Sequence, residues 1–140
     1  MASLKKKVFT CDFDETLAET NARQEGPLWV YSGMDPIVRV IDFVKEKVSN
    51  GHDMYIITFR PEHEKAEVKS FLMDYEIPYK GIFCTGGGPK TQIMLDLEAE
   101  FHIDDNVEVL VLAKMAGING LLVDHGQDKK NVTAQYFEKI

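Results

Sequence analysis

Apolar stretches alternate with amphipathic ones from one end of the chain to the other, the pattern of βα units laid around a parallel sheet. KVFTCDF reads as a buried first strand. In DPIVRVIDFVKEKVSNG, residues Ile37, Val38, Ile41, Val44 and Val48 recur at helical spacing, with Asp35 suited to the N-cap, Pro36 to the first turn and Gly51 to the stop. DMYIITF predicts the second strand, and Pro61 to Tyr75 a helix with Val68, Leu72 and Tyr75 on one face. GIFCT predicts a short third strand, and GGGPK a turn leading into a helix through Leu97. FHIDDN contains a fourth strand, Asn106 to Met115 a fourth helix, INGLLV a fifth strand and Val132 to Lys139 a closing helix. The expected fold is α/β: one Rossmann-like domain over residues 1–140, with a doubly wound, five-stranded parallel sheet and helices on both faces.

Leu17 to Met34 breaks the pattern. It holds Gly26, Pro27, Gly33, Trp29 and Tyr31 and shows no sustained period, so a long structureless loop is expected there. Such loops in compact domains are usually functional. Trp29 and Tyr31 suit either stacking on a base or pinning the loop to the core, and pinning is the commoner use.

At 140 residues and 44% hydrophobic content, the chain can bury a core without disulfides. Cys11 and Cys84 lie in apolar runs, as reduced core thiols of a cytoplasmic protein do. No apolar run approaches the roughly 20 residues that cross a bilayer. The basic start before VFTC is cut short by Asp12, too early for a signal peptide, so the protein is expected to stay where it is made. A net charge of −7 repels polyanions, which disfavours extended nucleic-acid binding but not recognition of one phosphate.

The candidate chemistry lies at the strand ends, where open parallel sheets bind ligands. Asp12 and Asp14 follow the first strand, Thr58 and Arg60 end the second, Lys90 begins the helix before the fourth, and Asp104 and Asp105 end the fourth. Carboxylates crowded together need a hard cation between them, and Mg²⁺ takes oxygen ligands including phosphate. With a lysine at the same phosphate, one aspartate can attack phosphorus while a second handles protons.

VFTCDFDETL resembles the first motif of the haloacid dehalogenase-like (HAD) superfamily, Asp-x-Asp-x-Thr after an apolar strand. YIITF resembles its second motif, Lys90 its third-motif lysine, and FHIDDN its fourth, in the family's order and across essentially the whole chain. The resemblance implies a phosphatase in which Asp12 is nucleophile and metal ligand, and Asp14 is general acid/base and a ligand through its carbonyl. Thr58 and Lys90 would hold the phosphoryl group, Asp104 would bind Mg²⁺ directly, and Asp105 would assist through water or hydrogen bonding. Glu15 stands where relatives often have glycine and is expected to be neutral. The gaps between motifs leave no room for a folded cap domain, as in capless members with open sites. TFRPE, IPYKGIFCT and HIDDN are similar to the 3′-phosphatase module of polynucleotide kinase–phosphatases, although that module typically has Ser-Gly-Arg in its second motif.

The expected substrate is accordingly a nucleotide or a nucleic-acid 3′-phosphate end, with small phosphorylated metabolites and phosphoproteins as alternatives. Arg60 suits either substrate phosphate or pairing with Glu62 or Glu64. Lys80, a rival to Lys90, precedes a strand instead of opening a helix. His52, His63, His102 and His125 show no ligand spacing and read as structural or solvated. GGGPK lacks the Walker pattern and reads as a turn delivering Lys90. The KKK run reads as solvated. The non-enzyme alternative is a HAD-like or receiver-like phosphate-binding module, although receivers carry the acidic pair on the first strand and a lone Asp on the third. Monomer and homodimer both remain open.

Overall fold

A computed structural model describes residues 6–126 and 133–140; for residues 22–23 and 29–32 the backbone alone is described. Six strands form an entirely parallel sheet: β1 (Lys7–Cys11), β4 (His52–Thr58), β5 (Gly81–Cys84), β6 (Phe101–Asp104), β7 (Asn119–Leu122) and the two-residue β8 (Glu138–Lys139). Their spatial order is β5-β4-β1-β6-β7-β8. The chain therefore winds outward from β1 through β4 to β5, returns across β1, and continues through β6 and β7. That reversal beside β1 creates a crevice at the strands' carboxyl ends.

Helices α1 (Val38–Ser49) and α2 (Lys65–Asp74) pack on one face of the sheet. Val40, Ile41 and Val44 of α1 and Val68, Phe71 and Leu72 of α2 join one buried cluster with Phe9, Cys11, Met54, Ile56 and Ile103. Helices α3 (Thr91–Asp96) and α4 (Val107–Met115) cover the other face, where Met94, Val109 and Ala113 meet Ile57 and Ile118. The period-two alternation of the strands does the sorting: Phe9 and Cys11 point to the first cluster and Thr10, between them, to the opposite face. Burial is non-directional, but this alternation makes it register-specific.

Four expectations change. The sheet has six strands, not five, because the predicted closing helix is instead a 3₁₀ turn, Thr133–Tyr136, followed by β8; Val132 lies outside the described residues. Leu17 to Met34 is no structureless loop. It lies in an antiparallel hairpin of β2 (Ala18–Glu25) and β3 (Leu28–Pro36), closed by Gly26 and Pro27. Gly26 takes φ 62°, the left-handed value that two-residue hairpin turns require at one of their central positions. Helix α1 begins later than expected, with Ile37 at its N-cap, since Asp35 and Pro36 still pair with β2. Last, the Pro61–Tyr75 stretch opens with a 3₁₀ turn, Glu62–Glu64, before α2 proper. Between Asp14 and Thr58 the chain is occupied by the hairpin and helix α1. None of the described helices is long and apolar enough to cross a membrane.

Candidate active site

β1, the strand beside the reversal, ends at Asp12, whose backbone N–H donates to the Ile103 carbonyl at 2.8 Å and so continues the ladder one residue past the strand. The neighbouring strands end level with it, which brings Thr58 and Asp104 alongside. Lys90 reaches the same point from the start of α3. The glycine turn positions it, with the Gly86 N–H donating to the Arg60 carbonyl and that of Thr85 to the Thr58 carbonyl. Lys80 is exposed ahead of β5, so Lys90 is the lysine of the site.

The buried Lys90 ammonium donates to Asp12 Oδ1 at 2.9 Å and to Asp104 Oδ2 at 3.0 Å. Burial alone would drive an ammonium toward neutrality, yet the two carboxylates outweigh it and hold Lys90 above its usual pKa. Asp12 is pushed well up by burial and by Asp104, with Lys90 only partly offsetting them. Asp105, near both, is raised to about 6, chiefly by burial and then by Asp104. Asp104 goes the other way. Burial opposes its charge, but the hydrogen bond from His102 and the nearby Lys90 more than compensate. Asp12, Asp104 and Asp105 each offer an oxygen, all within 4.8 Å of one another.

Asp14 faces elsewhere. Arg60 forks onto its carboxylate, Nη2 to Oδ1 at 2.7 Å and Nε to Oδ2 at 2.9 Å, and Thr20 of the hairpin donates its hydroxyl to Oδ1 at 2.8 Å. A two-toothed Arg–carboxylate bond fixes orientation as well as distance. Arg60 also reaches Glu67 at 3.1 Å and Glu64 at 3.4 Å, whereas Glu62 pairs with Lys65. Of the roles open to Arg60, pairing with Glu64 is seen, and its main contact is Asp14. Thr58 Oγ1 is fully buried and accepts the Arg60 backbone N–H at 3.2 Å, leaving its own O–H to donate. Glu15 adopts φ 61°, a conformation that favours glycine and costs other residues roughly 1–2 kcal/mol. Its Oε1 accepts the Thr20 N–H at 2.8 Å, so the side chain helps hold the turn it strains.

His102 and Thr20 adjoin the site without being among its expected residues, His102 in the structural role expected of it. His102, expected to be structural or solvated, is fully buried between Thr10 and Asp104, 2.8 Å from each. Burial lowers its pKa, so the neutral ring donates from Nε2 to Asp104 and accepts the Thr10 hydroxyl at Nδ1. The signal was a histidine two positions before a carboxylate on one strand, hence on the same face. Thr20 had no signal without the hairpin. Cys11 and Cys84 are free thiols, and burial raises the pKa of both. What the Trp29 and Tyr31 side chains touch lies outside the described residues.

The site opens into a cleft of about 610 Å³ bounded by Asp12, Asp14, Glu15, Phe59, Asp104, Asp105, Asn106, Val107 and Glu108.

No family model matches the chain. Over 84 residues, 60% of its length, it is 27% identical to a nucleotidase of Clostridium acetobutylicum, of which that stretch is 44%. Two solved structures are similar to it in fold. A chain of the Pnkp1/Rnl/Hen1 RNA repair complex is 21% identical with a TM-score of 0.70, matched over 87% of this chain and 43% of that one. A chain of a second Pnkp1/Rnl/Hen1 complex is 22% identical with a TM-score of 0.69, over 90% and 48%. The chain thus spans less than half the length of each relative, and what it shares with the two solved structures is an α/β fold around a parallel sheet.

Proposed function

We propose that this chain is a Mg²⁺-dependent phosphomonoester hydrolase that works through an aspartyl-phosphate on Asp12 and acts on nucleotides or nucleic-acid ends. The observation that carries the reading is the lysine-bridged carboxylate cluster at the carboxyl end of β1, where Asp12 sits buried against Lys90, Asp104 and Asp105. The names of the relatives, a nucleotidase and an RNA repair complex, favour phosphate esters of nucleosides.

The residues fit a hard cation. Three oxygens converge, and Asp12 and Asp105, raised first by burial and then by the neighbouring Asp104, are carboxylates whose charged forms a cation would stabilise. Asp12, Asp104 and Asp105 would hold Mg²⁺, with the Asp14 carbonyl as a further ligand; bound there, the metal supplies charge neutralisation for the phosphoryl group. Asp12 contributes the attacking oxygen. Lys90 balances the phosphate, and the Thr58 hydroxyl donates to it. His102 holds Asp104 in place from behind. Asp14 protonates the departing oxygen and later takes a proton from the attacking water. To do so its carboxylate exchanges Thr20 or one tooth of Arg60 for the substrate oxygen. Arg60 is then a holder of Asp14, poised to reach phosphate only as that exchange occurs.

Phosphate release with Mg²⁺ and with EDTA tests this, using p-nitrophenyl phosphate, nucleoside monophosphates and phosphorylated oligonucleotides. Turnover that needs Mg²⁺ and falls about a thousandfold or more in Asp12→Asn is expected. Normal turnover by a folded Asp12→Asn variant sinks the mechanism.

A further inference from the structure

The cleft has one aromatic wall in an otherwise acidic setting. Phe59 follows Thr58 at the end of β4 and stays 40% exposed, although it borders the carboxylate cluster directly. One face of its ring is occupied: Lys90 Nζ lies 4.4 Å from the centroid. A large apolar ring left at the mouth of a polar site is an unused contact surface. Across β1, Val107 follows β6 and borders the same cleft, so apolar surface flanks Asp12 from both neighbouring strands.

The charge of the mouth narrows the occupant. Glu15 and Glu108 border it, and among the described residues that line the cleft there is no lysine or arginine. Proteins that hold nucleic acid neutralise successive phosphates with such side chains. Here one phosphate is matched by the buried cluster, and a second or third would meet carboxylates.

We propose that Phe59 is the specificity-determining residue of this site, a stacking platform for the base of a nucleoside monophosphate, in a cleft whose acidic mouth turns away phosphorylated nucleic-acid ends. The inference rests on the phosphatase reading above and narrows its substrate to the mononucleotide.

The experiment compares kcat/KM for nucleoside 3′- and 5′-monophosphates, for ribose 5-phosphate, which lacks a base, and for 3′- and 5′-phosphorylated oligonucleotides. It uses the wild type, Phe59→Ala, Phe59→Leu and Phe59→Trp. The readout is the ratio of the better nucleotide to ribose 5-phosphate, which cancels any harm done through the Lys90 contact. Stacking of the strength seen in single-strand binders predicts a ratio lowered roughly 5- to 100-fold in the Ala and Leu variants, carried by KM, and restored by Trp. A ratio unchanged in Phe59→Ala overturns the proposal and leaves Phe59 as a cover for Lys90. Wild-type preference for the oligonucleotides also overturns it, while sparing the phosphatase reading. Absence of turnover by the wild type on every substrate removes that reading and the proposal together.

Discussion

Two ends of one sheet use lysine in opposite ways. At the carboxyl end, Lys90 is buried and bonded to two carboxylates. At the amino end, the half-buried Lys47 lies over Phe43 and Phe101, 5.5 and 5.9 Å from their centroids, and the exposed Lys114 lies over Phe137 at 5.7 Å. There Phe9 stacks on Phe101 with centroids 4.8 Å apart, and a groove of about 460 Å³ opens between Phe43, Phe101, Tyr136 and Phe137. Lys47 and Lys114 cover apolar surface with their stems and leave their charge near water. Lys90 is almost wholly removed from water, its ammonium bonded to two carboxylates and set against the Phe59 ring. The amino end is therefore stabilised by contact area. The carboxyl end keeps buried charges whose desolvation costs stability.

The largest stability effect should come from splitting that arrangement. Lys90→Ala leaves Asp12 and Asp104 buried without their cation, a change that costs about 3–5 kcal/mol where buried pairs are broken. The loss should be greatest at neutral pH and shrink in acid, as Asp12, already pushed upward, takes a proton. Phe101→Ala, at the other end, should cost a similar 3–5 kcal/mol through a cavity, but with no such pH dependence. Urea midpoints across pH 5 to 8 without metal separate the two. Parallel curves for the two variants would dissolve the contrast between the ends.

Asp105 sharpens the same contrast by a somewhat smaller amount. Its pKa in the fold is about 6, against roughly 3.9 for an unfolded chain, so the folded state holds the extra proton between those values. Metal-free protein should lose stability as pH rises from about 4 to 6 and level off above, with Asp105 responsible for about 3 kcal/mol. Asp105→Asn should flatten that slope and raise stability at pH 7 in EDTA. Saturating Mg²⁺ should stabilise the wild type and gain less on the variant. A variant no more stable than wild type at pH 7 in EDTA would contradict the crowding.

The carboxyl end was largely legible from sequence because strand order does the gathering. Asp12, Thr58 and Asp104 are separated by dozens of residues, yet each closes an apolar strand, and parallel strands align their ends. Lys90 was legible from the turn that delivers it. The amino end was not, since its contacts come from residues with no chemical signature beyond being apolar. The hairpin was hidden because its alternation is weak, with Thr20, Arg23 and Gln24 in β2, and its pairing slips between Thr20 and Ala22. The last strand was hidden by its brevity. Two residues, Glu138 and Lys139, carry no period at all and pair only because β7 offers an open edge.

The smallest effect concerns how the two ends are tied through α4. Asn106 caps this helix, its Oδ1 accepting the Glu108 and Val109 N–H groups at 2.9 and 3.2 Å, while its own N–H donates to Asp104 Oδ1 at 3.0 Å. The side chain therefore serves the helix and the backbone serves the site. Asn106→Ala should remove only the first, costing about 1 kcal/mol in a urea titration, and Asn106→Asp should recover most of it. Mg²⁺ affinity measured by calorimetry should stay within about twofold in Asn106→Ala, because the Asp104 bond comes from the main chain. A tenfold loss of affinity would mean that the cap, and with it the packing of α4 on the sheet, sets the position of Asp104. The site's geometry would then depend on the apolar packing that α4 shares with the rest of the fold, and the two ends would no longer be separable.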